Sequence, residues 1–486
     1  MDNYHTPWIS VWYCIFIQFF FGLQGSVFYT SMWSYLSSLY PNITVSYYGW
    51  CVASFSLAQA ISSPIFGLWS EKNTTLKIPT TIGLLFISIG NILYCFLTKL
   101  PIKELYFFAI FNRILCGIGE GSLSVIRAYI ATACHDNDRS KAVTIGFGAY
   151  VLGLAFGPTI QLLFLPFFPI NYVKNTFNIN VYNAPAFTFS ILSLIFIFGI
   201  CIFNFPYNPK IIQPKKGKVV PSKCSESQEE SLDYLPICVL IYTYVTQQSF
   251  ASNDEVLASP FTIALYNWTT DEAIKYNGII FTIAAFLSVI VYLLLAYDVF
   301  GRVDKRKVIL IGLILFATHH LVSLPWSFYD GPLDFVPLKS NTTIEDFTYA
   351  GGCSRRYDWC VTTKRVPLTL YIFTMMISFG LAYPCVSSSV GTMYATLLGN
   401  RKQDFFQGIL EFFGSLFRCM SPPILTVLFN ATGYKYTMLI QFVLLLISII
   451  FIIICWRRLK DKKYNNLYNN YSISPSRKNS NIVEFT

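Results

Sequence analysis

Charge is scarce in this chain. Only 12% of the 486 residues are charged, against about a quarter in an average soluble domain, which argues against a water-soluble globule. No Gly-rich phosphate loop, Cys-rich zinc pattern or hydrolase nucleophile elbow stands in a fitting context, so neither an enzyme, a cofactor nor a metal centre is expected. The opening MDNYHTPW lacks the basic start and cleavage site of a secretory signal, and the apolar run after it is too long for one, so it is read as a retained first span. What the chain does have is apolar: 54% hydrophobic residues, 17% aromatic and a mean hydropathy of +0.50. Disorder and nucleic-acid binding both fit poorly with that balance.

A bilayer core of about 30 Å takes roughly 20 apolar residues per helix. Such stretches recur at about 9–37, 47–70, 78–98, 104–132, 142–168 and 185–205, and again at 235–264, 277–299, 307–327, 367–397, 406–429 and 436–456. Between the two sets, residues 206–234 are rich in Lys, Pro, Ser and Glu and read as a flexible linker. The expectation is an all-α polytopic membrane protein of 12 transmembrane helices: a short cytosolic start at 1–8, six helices over 9–205, the cytosolic linker, six helices over 235–456 with a lumenal loop at 328–366, and a cytosolic tail at 457–486. With cytosolic termini, 22 of the 35 Lys and Arg fall on the linker side and ten on the other, as the positive-inside rule requires. The Asn-x-Ser/Thr triplets at Asn42, Asn267, Asn341 and Asn430 fall in lumenal loops and are glycosylation candidates; those at Asn73 and Asn470 fall on the cytosolic side. Of 13 Cys, only Cys353 and Cys360 lie in a lumenal loop, where a bridge is expected in an oxidising compartment, two free thiols being the alternative.

Local motifs give the outline a family. Gly67-Leu68-Trp69-Ser70-Glu71-Lys72 ends the second span, and Asp298-Val299-Phe300-Gly301-Arg302 ends the second span of the other half. Each resembles part of the loop motif of the major facilitator superfamily, with Glu71 in place of the usual Asp. Asn112-Arg113 through Gly119 resembles the family's fourth-helix Arg motif, and Gly153-x-x-x-Gly157-Pro158 its fifth-helix antiporter motif, where close helix packing is the competing role. Within the superfamily the chain is similar to the lysosomal member linked to late-infantile neuronal ceroid lipofuscinosis. The shared runs are Ser31-Met32-Trp33, Ser63 through Ser70, Tyr276 through Ile280, Gly352-Cys353-Ser354 with Trp359-Cys360, and Tyr383-Pro384. That resemblance implies two six-helix halves rocking about a midplane site, a cytosolic gate latched by Glu71 with Lys72 and Asp298 with Arg302, and an endolysosomal membrane. The relative's dileucine signal is absent from the eight residues before the first span. Tyr464-x-x-Leu467 is the replacement sorting pattern, read by adaptors on the tail.

Ionisable residues within a span are costly and therefore functional candidates. Arg113, Glu120 and Arg127 recur at steps of seven, near one helical face. The seventh span carries Gln247, Gln248, Asn253, Asp254 and Glu255 ahead of Pro260. Arg113, Arg127 and Arg418 are the candidates for an anion pathway; Glu255, with Asp254 and Glu120, for proton coupling. The competing role for the charged face is a network that pins helices together. Glu411 is placed in the first turn of its helix, against the dipole. The expectation for His319-His320 is a pair of a residue type able to titrate at lysosomal pH, with no metal site, since further ligands are lacking. The expected function is transport of a small, anionic solute by alternating access, coupled to protons; the alternatives are an endolysosomal chloride channel and a non-transporting scaffold or receptor.

Overall fold

Helix formation follows from the apolar runs, because in lipid every backbone polar group has to be satisfied within its own segment. The computed structural model describes residues 5–39, 45–164, 180, 182–206, 232–299, 303–338, 350–399 and 401–459. The first half contains α1 (Trp8–Leu39), α2 (Val45–Asn73), α3 (Lys77–Phe96), α4 (Ile102–Glu120), α5 (Leu123–Ala133), α6 (Asp136–Phe164) and α7 (Ala184–Ile202). The second contains α8 (Tyr234–Tyr266), α9 (Thr270–Ala296), α10 (Lys305–Val322), α11 (Leu368–Ile377), α12 (Tyr383–Leu398), α13 (Asp404–Thr432) and α14 (Tyr434–Ile454). Two spans are broken rods. α4 and α5 form one span interrupted at Gly121–Ser122, and α11 and α12 are joined by a single π-helical segment, Ser378–Ala382. Among the described residues the result is twelve helical spans, six in each half.

Ten of these are long and apolar enough to cross a membrane by length and composition. The other two are α8, whose middle carries the Gln, Asn and acidic residues, and α10, which opens on Lys305-Arg306-Lys307. Several ends differ from the sequence expectation. α10 stops at Val322 rather than 327, since Pro325 follows and disfavours helix in the residue before it. α6 begins at Asp136, and α13 at Asp404, because polar first turns do not interrupt a helix. α6 also continues through position 158 to Phe164 as one helix.

Small residues set how closely the spans meet. A Cβ at Gly153 would press on Leu23 N at 2.8 Å and one at Gly157 on Val27 N at 2.8 Å, so α6 lies backbone to backbone on α1. Buried polar pairs add direction: Gln24 and Asn91 exchange two amide hydrogen bonds of 3.0 Å, and Ser88 meets Ser190 at 2.8 Å. Large apolar side chains such as Phe16, Ile65, Phe198, Val427 and Ile454 face outward, as a lipid-facing surface demands.

The two halves meet mainly through α2 against α13 and α6 against α9. The ends of the bundle differ. At one, the linker face, Thr6 donates to Asp138 at 2.6 Å, Ser10 to the Asn204 carbonyl at 2.6 Å, and Arg306 to the Trp456 carbonyl at 2.6 Å. At the other, the loop face, residues 328–338 and 350–366 form a cap over α8, α13 and α14. A disulfide joins Cys353 and Cys360. Beside it Gly352 has φ +142°, and a Cβ there would meet the Asp334 carbonyl at 3.0 Å, a position that only glycine fills without strain. Trp359 packs on Phe429 and seals the cap against α13.

Candidate functional site

The buried charges of α4 and α5 meet those of α13 at the seam between halves. Arg127 and Glu411 form an ion pair in which both side chains are nearly inaccessible. Tyr244 donates to the same Glu411 oxygen at 2.9 Å, and Gln248 donates to the Tyr244 hydroxyl at 2.8 Å. The Arg127 guanidinium also lies over Phe147 at 4.4 Å and Tyr150 at 5.3 Å. Glu411 is thus not a first-turn residue: α13 starts at Asp404, which places Glu411 two turns in, where it neutralises a charge of the opposite half.

Arg418, two turns further along α13, donates to the Gln59 side chain of α2 at 2.6 Å, a second contact across the seam. Glu120 is buried between these groups. Tyr150 donates to its Oε1 at 3.0 Å, its Oε2 has no hydrogen-bond donor among the described residues, and it lies within electrostatic reach of Arg418, Arg113 and Glu411.

Arg113 is different. It is among the largest fully buried side chains, and its guanidinium lies between the faces of Phe55 at 4.6 Å and Phe28 at 5.0 Å. Its Nε and Nη1 have no hydrogen-bond acceptor among the described residues. Removing an unpaired charge from water costs several kcal/mol, while two aromatic faces return about 1–4 kcal/mol. A bound anion would complete the balance.

The linker face is closed by a second set of contacts between halves. Gly67 lets α2 approach the Asp404–Phe405 backbone of α13, and Gly408 returns the fit against Pro64. Ser70 donates to the buried Asp404 carboxylate at 2.6 Å. The Phe405 N–H donates to Glu71 at 3.3 Å, and Lys402 Nζ to the Glu71 carbonyl at 2.9 Å. Glu71 therefore sits on the N-terminal turn of α13, where the helix dipole favours an anion. Lys72 is exposed. Asp298 does not reach across the seam; it pairs with Lys305 of its own half at 3.9 Å, because its left-handed backbone (φ +47°) turns the chain back towards α10. Gly301 and Arg302 lie outside the described residues.

Of the other candidates, Asp254 is buried and faces His319 of α10 at 3.8 Å, inside the second half rather than at the seam. The side chains of Glu255 and Pro158, and residues Asn42, Asn341, Tyr464 and Leu467, lie outside the described residues. Asn267 caps α8 in the left-handed conformation and donates to Asp334 at 2.8 Å. The Asn430 side chain accepts from the Tyr357 hydroxyl at 3.1 Å. Arg365 donates to Asp334 at 2.5 Å, and this bond, helped by Asn267, holds the Asp334 carboxyl below the usual carboxylate range.

Sequence reasoning missed Gln59, Tyr150 and Tyr244, whose types carry no charge signal, and Ser70 with Asp404, which are distant in sequence.

The profile of the Major Facilitator Superfamily matches residues 14–338. The chain belongs to the major facilitator superfamily. Its relatives in the superfamily include the frog Xenopus laevis protein named Major facilitator superfamily domain-containing protein 8. That protein is 25% identical over 477 residues, covering 93% of this chain and 92% of the relative. Among solved structures, the human organic anion transporter MFSD10 matches with a TM-score of 0.57 at 15% identity, over 92% of this chain and 99% of that one. The Escherichia coli fucose:proton symporter FucP matches with a TM-score of 0.62 at 13% identity, over 92% and 98%. The chain is a multi-pass membrane transporter in fold and family.

Proposed function

We propose that this transporter carries a small anionic solute across an endolysosomal membrane by alternating access, in exchange for or together with protons. The observation that carries the anion is Arg113: a buried cation held by two rings, with free N–H donors and no internal acid bonded to it among the described residues. Arg418 adds positive charge at the seam. The Arg127–Glu411 pair and the Ser70–Asp404 and Glu71–α13 contacts form the gate that has to open for the linker face to gain access. Glu120, with its unbonded Oε2 beside Arg418, is the proton carrier at the seam, and Glu255 and Asp254 of α8 are the further acids of the pathway. The endolysosomal site, with both termini and the linker cytosolic, rests on the charge distribution, the likeness to the lysosomal relative and the Tyr464–Leu467 pattern. In this reading adaptors bind the tail.

A chloride conductance is the second reading, favoured by the same Arg113 donors, which a bare halide satisfies as well as a carboxylate. Purified full-length protein in liposomes, with a chloride reporter and an internal pH dye, separates the two. Saturable anion movement tied to protons supports the carrier. Fast chloride flux that follows voltage and ignores the pH gradient supports the channel.

A further inference from the structure

The halves also meet where α6 of the first runs antiparallel to α9 of the second. Three residues of α6, at steps of three and four, share the face turned to the other half. Lys141 places its Nζ 4.3 Å from the centroid of the Tyr297 ring, Thr144 shares a hydrogen bond of 2.7 Å with Ser388 of α12, and a Cβ at Gly148 would stand 3.0 Å from the Tyr292 side chain. Towards the loop face, Phe156 meets Phe286 edge-on at 5.7 Å. The pairs 141 with 297, 148 with 292 and 156 with 286 run in opposite directions along the two helices, so of the three Lys141 and Tyr297 lie nearest the linker face.

The turn after α9 directs its acid away from this contact. Tyr297 caps α9, its N–H still donating to the Leu293 carbonyl at 3.0 Å, so the ring keeps the direction the helix gives it. One residue later Asp298 takes the left-handed conformation and turns to Lys305 of its own half. The crossing contact on this side therefore falls to the ring. Trp8 also lies by the ammonium, at 5.6 Å. It is held to α6 through Thr6, which donates to Asp138 at 2.6 Å and accepts from the His135 N–H at 3.0 Å. Lys141 thus touches one ring of its own half and one of the opposite half. A cation on a ring face is held by the ring quadrupole, with no directed hydrogen bond to break. Parting the halves removes Tyr297 and leaves Trp8, so the charge stays in place for reclosure.

We propose that Lys141 and Tyr297 form a cation–π latch across the α6–α9 contact, with Trp8 as the rest for the cation. The linker face is then closed in two chemically different ways: by hydrogen bonds to the carboxylates of Asp404 and Glu71 where α2 meets α13, and by an ammonium on rings where α6 meets α9. Lys141 is a positioning residue, acting on the gate through Tyr297. What the parting of the halves accomplishes rests on the alternating-access reading above.

The test uses the full chain in nanodiscs, with spin labels on non-cysteine handles at the exposed positions 137 and 303. A Glu411→Ala background is used because the long distance between halves is expected to grow there. Lys141→Gln and Tyr297→Leu are each expected to raise the ratio of long to short distance about two- to fivefold. Lys141→Arg and Tyr297→Phe, which keep the cation and the ring face, should hold the ratio of the background. The double variant Lys141→Gln with Tyr297→Leu should go no further than either single one, the sign of a shared contact. These rescues separate the latch from a general loosening of the helices. A ratio unmoved by Lys141→Gln, or moved as far by Tyr297→Phe as by Tyr297→Leu, overturns the latch and leaves alternating access standing. One short distance in the background and in every variant contradicts alternating access itself, and the latch with it.

Discussion

Arg113 and Arg127 stand fourteen residues apart on the same span, both buried and both lying over two aromatic faces. Among the described residues only Arg127 has an acid bonded to it. Its charge is cancelled by Glu411 from the opposite half, so it holds two bodies together and has little left to offer a solute. Arg113 has rings where Arg127 has a carboxylate, and its unbonded N–H groups are available to a ligand. In the proposed function the same residue type in the same span is a latch where the partner is internal and a binding group where it is not. The three arginines singled out from sequence as one anion pathway divide into two roles on this account.

Four substitutions test that division. The largest effect belongs to Glu411→Ala, which leaves the Arg127 charge buried and uncompensated. A cost of about 3–5 kcal/mol to the closed gate is expected. A cysteine placed by Gln407→Cys, in the crevice that Arg127 lines, and followed on its own peptide by mass spectrometry apart from the native thiols, should then react with a maleimide at least a hundredfold faster than in the parent gate. Next comes Arg113→Gln, expected to reduce anion flux in liposomes at least tenfold while leaving the Gln407→Cys reaction rate unchanged; a change in both readouts would merge the two roles. Ser70→Ala removes a hydrogen bond to a buried carboxylate, worth about 1.5–3 kcal/mol, and should raise the Gln407→Cys rate by about tenfold without changing the anion affinity. The smallest effect concerns the cap. Asp334 is held below its ordinary value by Arg365, so its contribution is complete above the unfolded carboxylate value of about 3.9 and is lost as pH falls through the lower folded value. Limited proteolysis of the cap should therefore be unchanged from pH 7 to 4.5 and accelerate only below that; Asp334→Asn should remove the acid-side acceleration.

The apolar runs made the twelve spans legible, because each had to satisfy its own backbone in lipid and so declared itself by length. Span ends were less legible: the first turn of α13 is Asp404-Phe405-Phe406-Gln407, and reading the helix as starting at 406 put Glu411 against the dipole instead of inside the seam. The breaks at Gly121–Ser122 and Ser378–Ala382 carry no signal distinct from that of a continuous apolar helix. Positions that are costly in lipid, such as Arg113, Glu120 and Arg127, could be picked out one by one. Their partners could not, since Glu411 lies 284 positions from Arg127 and only the crossing of α5 and α13 brings them together. His319 and Asp254 were each visible as unusual residues, but the contact depends on which faces of α8 and α10 oppose each other.

The most direct test of the account is the distance between the two halves at the linker face, measured between spin labels at positions 72 and 401. A non-cysteine handle is needed because the chain carries 13 Cys. Two distance populations are expected, a short one that dominates in the parent and a long one that grows in Glu411→Ala and on changing the chloride concentration. A single short distance that neither the substitution nor chloride alters would contradict a gate opened by parting the halves.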